Sequence, residues 1–170
     1  MARKGNGLRI AVDVTPVREG GECGGARPFV LELLRGLATA ARPLQYLLLT
    51  AAHNHAAFEP FERLGMSRWL VDGDGPVALR DHGVDVLFCP MTAPTYAEPG
   101  VATVSVVYDL QHLKYPWFFS MEELGHRTRF YERVRQLADH VVCISEFSRI
   151  SLIRSLGIPQ IGRASCRERV

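Results

Sequence analysis

Residues 8–37 read LRIAVDVTPVREGGECGGARPFVLELLRGL, and three kinds of local structure follow one another within them. Leu8 to Val14 is a short, β-branched apolar run without helical spacing, as expected of a strand buried on both faces. It ends in Thr15-Pro16 and a glycine-rich stretch. Beyond Gly24-Gly25, Phe29, Val30, Leu33, Leu34 and Leu37 recur at helical spacing. Pro28 stands near the start of that helix, where a missing N–H does no harm. Strand, glycine loop and helix in this order open an α/β domain.

Outward from this unit the alternation repeats. Strands are expected over Gln45 to Thr50, Arg68 to Val71, Val84 to Cys89, Val101 to Tyr108 and His140 to Ile144. Helical segments are expected over Ala56 to Leu64, Val77 to His82 (one turn) and Met121 to Ala138. A last helix runs from Ser145 to about Leu156 and stops at Gly157. Ser120-Met121-Glu122-Glu123 fits a capping box, and Ser145 fits an N-cap. The fold class this implies is α/β and Rossmann-like, a mostly parallel sheet with helices on both faces. Ligands of such sheets bind outside the carboxyl ends of the strands.

The chain has 170 residues, 47% of them hydrophobic and 22% charged, which suits one domain with a sizeable core. Its longest apolar runs fall far short of the roughly 20 residues of a membrane-spanning helix. Arg3 and Lys4 precede no secretory-type apolar region, so a cytoplasmic location is expected. Cys89 and Cys143 sit inside strand-like runs and Cys23 in the glycine loop, without a C-x-x-C pair. Buried free thiols, rather than disulfides or a zinc site, follow.

Three carboxyl-end loops carry residue types suited to binding. The glycine loop with Gly24 and Gly25 precedes a helix start whose N–H groups could face a phosphate; a plain flexible connection fits as well. Its spacing is neither G-x-G-x-x-G nor a P-loop, and Thr50 stands where a dinucleotide site would carry an acidic residue, which disfavours NAD. Tyr108-Asp109-Leu110-Gln111-His112, followed by Tyr115, Trp117, Phe118 and Phe119, combines a carboxylate, an amide, an imidazole and aromatic rings. That set can bind hydroxyls and stack on sugars, or can cap a turn and fill core. Ser145, Glu146 and Arg149 follow the last strand, where Ser145 serves as well for a cap as for chemistry. No G-x-S-x-G elbow supports hydrolysis. His53-x-His55, lying among Ala and Asn, reads as a solvated loop rather than a metal pair.

The stretch VVYDLQHLKYPWFFSMEELGHRTRFYERVRQLADHVVCISEFSRISLIRSLGIP, Val106 to Pro159, resembles the end of the N-terminal domain in family-4 retaining glycosyltransferases. There an aliphatic pair precedes HDLQH, then P-x-x-F-S, a basic helix, and a strand ending in SEFSR. The opening strand, Gly24-Gly25 and PFVLELLRGLA resemble the same family's glycine loop and first helix. The resemblance implies one half of a GT-B fold, two Rossmann-like domains facing a cleft. It implies a nucleotide-sugar donor held mainly by the other domain and a saccharide or lipid-linked acceptor held mainly by this one. Transfer would proceed with retention and without a metal, the nucleotide-diphosphate sugar being the co-substrate. Gly24 and Gly25 would face the donor phosphates. Tyr108, Asp109, Gln111, His112, Ser145, Glu146 and Arg149 would line the sugar or acceptor side. Family members commonly carry a His touching the donor sugar where this chain has Tyr108. The family's paired glutamates have no counterpart here, so no catalytic residue is assigned and the fragment by itself is expected to be inactive.

Ile161 to Val170, IGRASCRERV, back-translates to a string resembling a sequencing adapter. Residues 1–160 are accordingly expected to form the acceptor-side domain and 161–170 a tail without a packed role. Without the tail the formal charge falls from +2 to zero, which disfavours nucleic acid as a partner. Arg127, Arg129 and Arg133 on the long helix are expected on an outward face, either simply solvated or touching anionic membrane at its inner face. Surface-polysaccharide or glycolipid synthesis is the expected setting. The alternative is a non-catalytic Rossmann-like binding or partner domain.

Overall fold

The computed structural model of the protein describes residues 7–20, 24–41, 43–71, 73, 75–91 and 93–157, and the backbone of 163–165. Seven strands form one sheet: β1 (Arg9–Asp13), β2 (Gln45–Thr50), β3 (Met66–Leu70), β4 (Val86–Cys89), β5 (Ala102–Val107), β6 (His140–Cys143) and β7 (Arg163–Ser165). All pairings are parallel, in the order β3-β2-β1-β4-β5-β6-β7. The chain builds outward from β1 to β3 and then returns to the other side of β1. That reversal splays the loops after β1 and β4 apart and opens a crevice at their carboxyl ends.

Side chains alternate across the sheet, and both faces are covered. Ala11, Leu47, Leu49 and Leu87 pack on one side with Leu79, Val84 and Val101. Val12 and Leu48 point to the other side, onto Val30 and Leu34 of α1 (Ala26–Ala38) and onto Phe58 and Phe61. A further cluster joins Val107, Val141 and Cys143 to Tyr131 and Val134 of α3 (Met121–Leu137) and Leu152 of α4 (Glu146–Leu156). The mostly parallel, helix-covered sheet expected from the sequence is therefore the observed fold. Cys89 and Cys143 are buried and form no disulfide among the described residues; Cys23 lies outside them.

The helix ends follow local chemistry. Ser120 accepts from the Glu123 N–H while the Glu123 carboxylate accepts from the Ser120 N–H, a complete capping box. Ser145 caps α4 by accepting from the Ser148 N–H, and Gly157 ends it at a φ of 58°, in the left-handed region.

Structure and expectation differ in several places: the segment expected as a helical turn over Val77 to His82 is not a helix, and the third strand starts at Met66 rather than Arg68. Ala56–Leu64, expected as a helical segment, is a 3-10 helix with Pro60 inside it. The aromatic loop after β5 contains a short α2 (Gln111–Lys114) and a 3-10 turn, Pro116–Phe118, which no apolar periodicity marks in the sequence. The backbone of Arg163–Ser165 pairs with Val141–Cys143 at the sheet edge, so the expectation of a tail without a packed role is corrected for these three residues. A parallel edge strand needs only main-chain groups, which is why so unpatterned a segment can fill it. Among the described residues, no helix is long and apolar enough to cross a membrane.

Candidate functional site

The loops after β1, β2, β3, β4 and β5, together with one face of α3, enclose a cleft of about 960 Å³ over the reversal point. Thr15, Pro16 and Arg18 form its floor on the β1 side, with Ala26 from the first turn of α1. His53 enters from the loop after β2, Tyr96 from the loop after β4, and Tyr108 and Asp109 from the end of β5. The α3 wall contributes Glu122, Glu123, His126, Arg127, Phe130, Tyr131 and Arg133.

Asn54 fixes the floor. It is buried, its amide NH2 donates to the carbonyls of Val14 (2.8 Å) and Val17 (2.8 Å), and its Oδ1 accepts from the Ala51 N–H (2.9 Å). One side chain thus joins the loop after β1 to the loop after β2. His53 Nε2 adds a 3.2 Å contact to the Val17 carbonyl, whereas His55 Nδ1 turns away to Thr50 Oγ1 at 2.7 Å. The two imidazoles do not converge. His53, expected in a solvated loop, is exposed but borders the cleft.

On the opposite wall, the Tyr108 hydroxyl donates to the Pro90 carbonyl at 2.7 Å, and its ring meets Phe29 edge-on at 5.5 Å. Burial pushes its phenol up to about 12, so it stays protonated near neutrality. Asp109 Oδ1 accepts from the Gln111 N–H at 2.9 Å, and its backbone carbonyl accepts from the Tyr131 hydroxyl at 2.5 Å. Its carboxylate therefore borders the cleft with one oxygen engaged and its backbone pinned to α3.

The other residues singled out in the sequence lie apart. Gly25 is the N-cap of α1 and Gly24 precedes it at a φ of 50°; a Cβ on either would meet nothing within 4 Å. Both are exposed beside the cleft, whose lining begins at Ala26. Gln111 is exposed on α2. His112 is 2% exposed and stacks parallel on Tyr131 at 4.8 Å, with no hydrogen-bond partner for either ring nitrogen among the described residues. Burial first, then the Arg127 charge, lowers its pKa against the opposing pull of Asp109, so His112 is a neutral packing residue behind the wall. Ser145 caps α4, and its neighbour Ser148 donates to the Tyr108 carbonyl at 2.6 Å. Glu146 and Arg149 pair with each other on the surface, which lowers the Glu146 pKa.

The basic stripe of α3 does not share one outward face, and that expectation is corrected. His126, Arg127 and Arg133 turn to the cleft, while Arg129 is exposed outside its lining and Arg135 pairs with Glu132. Residues 126, 130 and 133 succeed one another at three- and four-residue steps, so one helix face carries them. Arg127 lies 4.5 Å over the Phe119 ring, and Arg133 donates to the Thr95 carbonyl at 3.2 Å, bracing the loop after β4. Within the lining, Arg18, Arg127 and Arg133 face Asp109, Glu122 and Glu123, three cations against three carboxylates. A balanced cleft with aromatic walls favours a neutral, hydroxyl-rich ligand over a polyanion.

No family model matches the sequence, and no curated protein matches it. The structure is similar to the crystal structure of a glycosyltransferase from Rickettsia africae ESF-5, with a TM-score of 0.52 at 13% sequence identity. The superposition covers 94% of this chain and 42% of that one, so the chain spans less than half of its neighbour's length. The likeness is one of fold alone: an α/β, Rossmann-like domain similar to part of that structure.

Proposed function

We propose that this chain is the acceptor-side domain of a glycosyltransferase that moves a sugar from a nucleotide-sugar donor to a saccharide or lipid-linked acceptor. The observation that carries the reading is the charge-balanced, aromatic-walled cleft at the strand reversal, with Asp109 on its wall. The glycosyltransferase-like fold and the DLQH and SEFSR segments support it. In this reading Asp109 accepts a hydrogen bond from an acceptor hydroxyl, and the Tyr108 oxygen accepts another while its own O–H continues to donate to the Pro90 carbonyl. Phe130 and Tyr96 supply ring faces or edges for the sugar. The start of α1 at Gly25 offers free N–H groups to the donor diphosphate, and the second domain of a GT-B pair supplies the rest of the diphosphate grip and the catalytic glutamates. Retention, independence of metal, and a place in surface-polysaccharide or glycolipid synthesis belong to the same proposal, by resemblance.

The test is sugar transfer by a polypeptide carrying this chain with its second domain, assayed against UDP-, GDP- and dTDP-hexoses with oligosaccharide and lipid-linked acceptors. The expected result is transfer from one donor class, with Asp109→Asn lowering kcat/KM by roughly tenfold or more at unchanged Tm. A folded protein that transfers from none of these donors overturns the reading in favour of a non-catalytic partner domain.

A further inference from the structure

Beside the cleft lies a second, smaller cavity of about 250 Å³, between α1, the 3-10 helix Ala56–Leu64 and the loop after β1. Its floor is apolar. Phe58 and Phe61 are buried there with ring centroids 5.8 Å apart, and Leu31 and Pro60 line it beside them. Its rim is cationic: Arg18, Arg27 and Arg35 stand against the single carboxylate of Glu19. Arg27, Leu31 and Arg35 succeed one another at four-residue steps, so one face of α1 presents them together. Arg35 pairs with Glu32, which lies outside the lining. Arg27 is partly buried, yet its guanidinium makes no hydrogen bond, ion pair or ring contact with any described residue. A charge that gives up part of its hydration without a partner is costly until an anion completes it.

We infer that this cavity is a binding site for a small aromatic carboxylate, whose ring rests on the Phe58–Phe61 floor and whose carboxylate is held by Arg27. Size, floor and rim each narrow the ligand. A volume of about 250 Å³ is below the roughly 300–1,000 Å³ of sites for drug-sized ligands, so a molecule of one or two rings fits and a nucleotide sugar does not. The floor favours an apolar body. Two phenyl rings offer faces and edges to a third, whereas Asn54, the buried polar side chain of the lining, has its amide committed to Val14, Val17 and Ala51. A hydroxyl-rich ligand therefore finds no buried partner there. The rim favours a carboxylate, which matches the planar fork of a guanidinium with two parallel hydrogen bonds. Among the described residues only Arg18 lines both this cavity and the cleft. The inference stands apart from sugar transfer, and holds whether or not the cleft binds sugar.

The test is an amide NMR titration of the full 170-residue chain with phenylpropionate. Phenylpropanol supplies the same ring without the charge, and propionate the same charge without the ring. The expected result is saturable binding of phenylpropionate with shifts at Val17 to Glu19, Arg27 to Arg35 and Ala57 to Phe61, and at least about tenfold weaker binding of both controls. Arg27→Gln should weaken phenylpropionate binding about tenfold and Arg27→Glu should abolish it, both at unchanged Tm, because the guanidinium has no protein partner to lose. An alcohol that binds as tightly as the carboxylate overturns the proposal, as does an affinity untouched by Arg27→Glu. So do shifts confined to the cleft residues Tyr108, Asp109 and Arg133, or no saturation by about 10 mM. Concentration-dependent dimerisation lost in Arg27→Glu, with no carboxylate binding, would assign the cavity to a second copy of the chain and overturn the proposal as well.

Discussion

Replacing Asn54 with Ala should be among the costlier single changes at the cleft, because this buried side chain joins the loops after β1 and β2. The substitution removes donations to the Val14 and Val17 carbonyls and leaves the Ala51 N–H without its Oδ1 acceptor. Each such bond contributes about 1 kcal/mol net, and a buried group left unmade costs about 1–3 kcal/mol. Three bonds, partly offset by water entering the vacated space, come to about 3 kcal/mol. For a chain of this length, about 1 kcal/mol moves Tm by about 2–4 °C, so the midpoint should fall by about 6–12 °C. Asn54→Asp keeps the acceptor for Ala51 but turns a carboxylate toward two carbonyl oxygens, and it should be no better. The assay is thermal unfolding by circular dichroism, with urea titration for the free energy. A loss below about 1 kcal/mol for Asn54→Ala would refute the joining role.

His112, buried and lowered in pKa, is neutral in the fold and gains its proton readily only when unfolded. With the folded pKa below the unfolded one, stability is full above the unfolded value of about 6.5 and declines as pH falls through it toward the folded pKa. His112→Phe keeps the stack on Tyr131 and should flatten this decline between about pH 7.5 and 5.5; an unchanged slope of Tm against pH would count against the buried neutral imidazole. Tyr108→Phe should cost about 1 kcal/mol in urea unfolding by stranding the Pro90 carbonyl, and a neutral result would mean the hydroxyl is not tethered there. Ser120→Ala should cost about 1 kcal/mol through the capping box, with Glu123→Ala adding little on top of it, since the two act as one unit; full additivity would break that picture.

What the sequence made legible was local. Gln45 to Thr50 is a strand from end to end, and Ser120, Ser145 and Gly157 act as the caps their positions suggested, because strand patterning and capping depend on neighbours a few residues away. That Ala56–Leu64 is 3-10 was not legible, since an amphipathic pattern does not separate the two helix types over so short a segment. The cleft was not legible. Asn54 reaches partners 37 and 40 residues away, and nothing in AAHNHAA announces a buried amide. DLQH suggested three binding groups, Asp109, Gln111 and His112, yet only Asp109 of the three borders the cleft. His112 faces inward because Tyr131 offers it a ring face, a contact that spacing does not encode. The basic helix failed in the opposite way: its charge density suggested solvent or membrane, whereas the loop after β4 lies against it and turns Arg133 into a brace.

The most direct test of a saccharide-binding cleft is amide NMR of the 15N-labelled chain, titrated with methyl hexosides, oligosaccharides and UDP-, GDP- and dTDP-hexoses. In the proposed reading a second domain completes the site, so binding to this chain alone is expected to be weak and the titration should run to about 10 mM, where a Kd in the millimolar range, about −4 kcal/mol, is still visible. Shifts confined to the residues around Thr15 to Arg18, His53, Tyr108-Asp109 and His126 to Arg133, and lost in Asp109→Asn, are the predicted result. Shifts clustered at the amino-terminal edge of the sheet, or none from any sugar at about 10 mM, would contradict it.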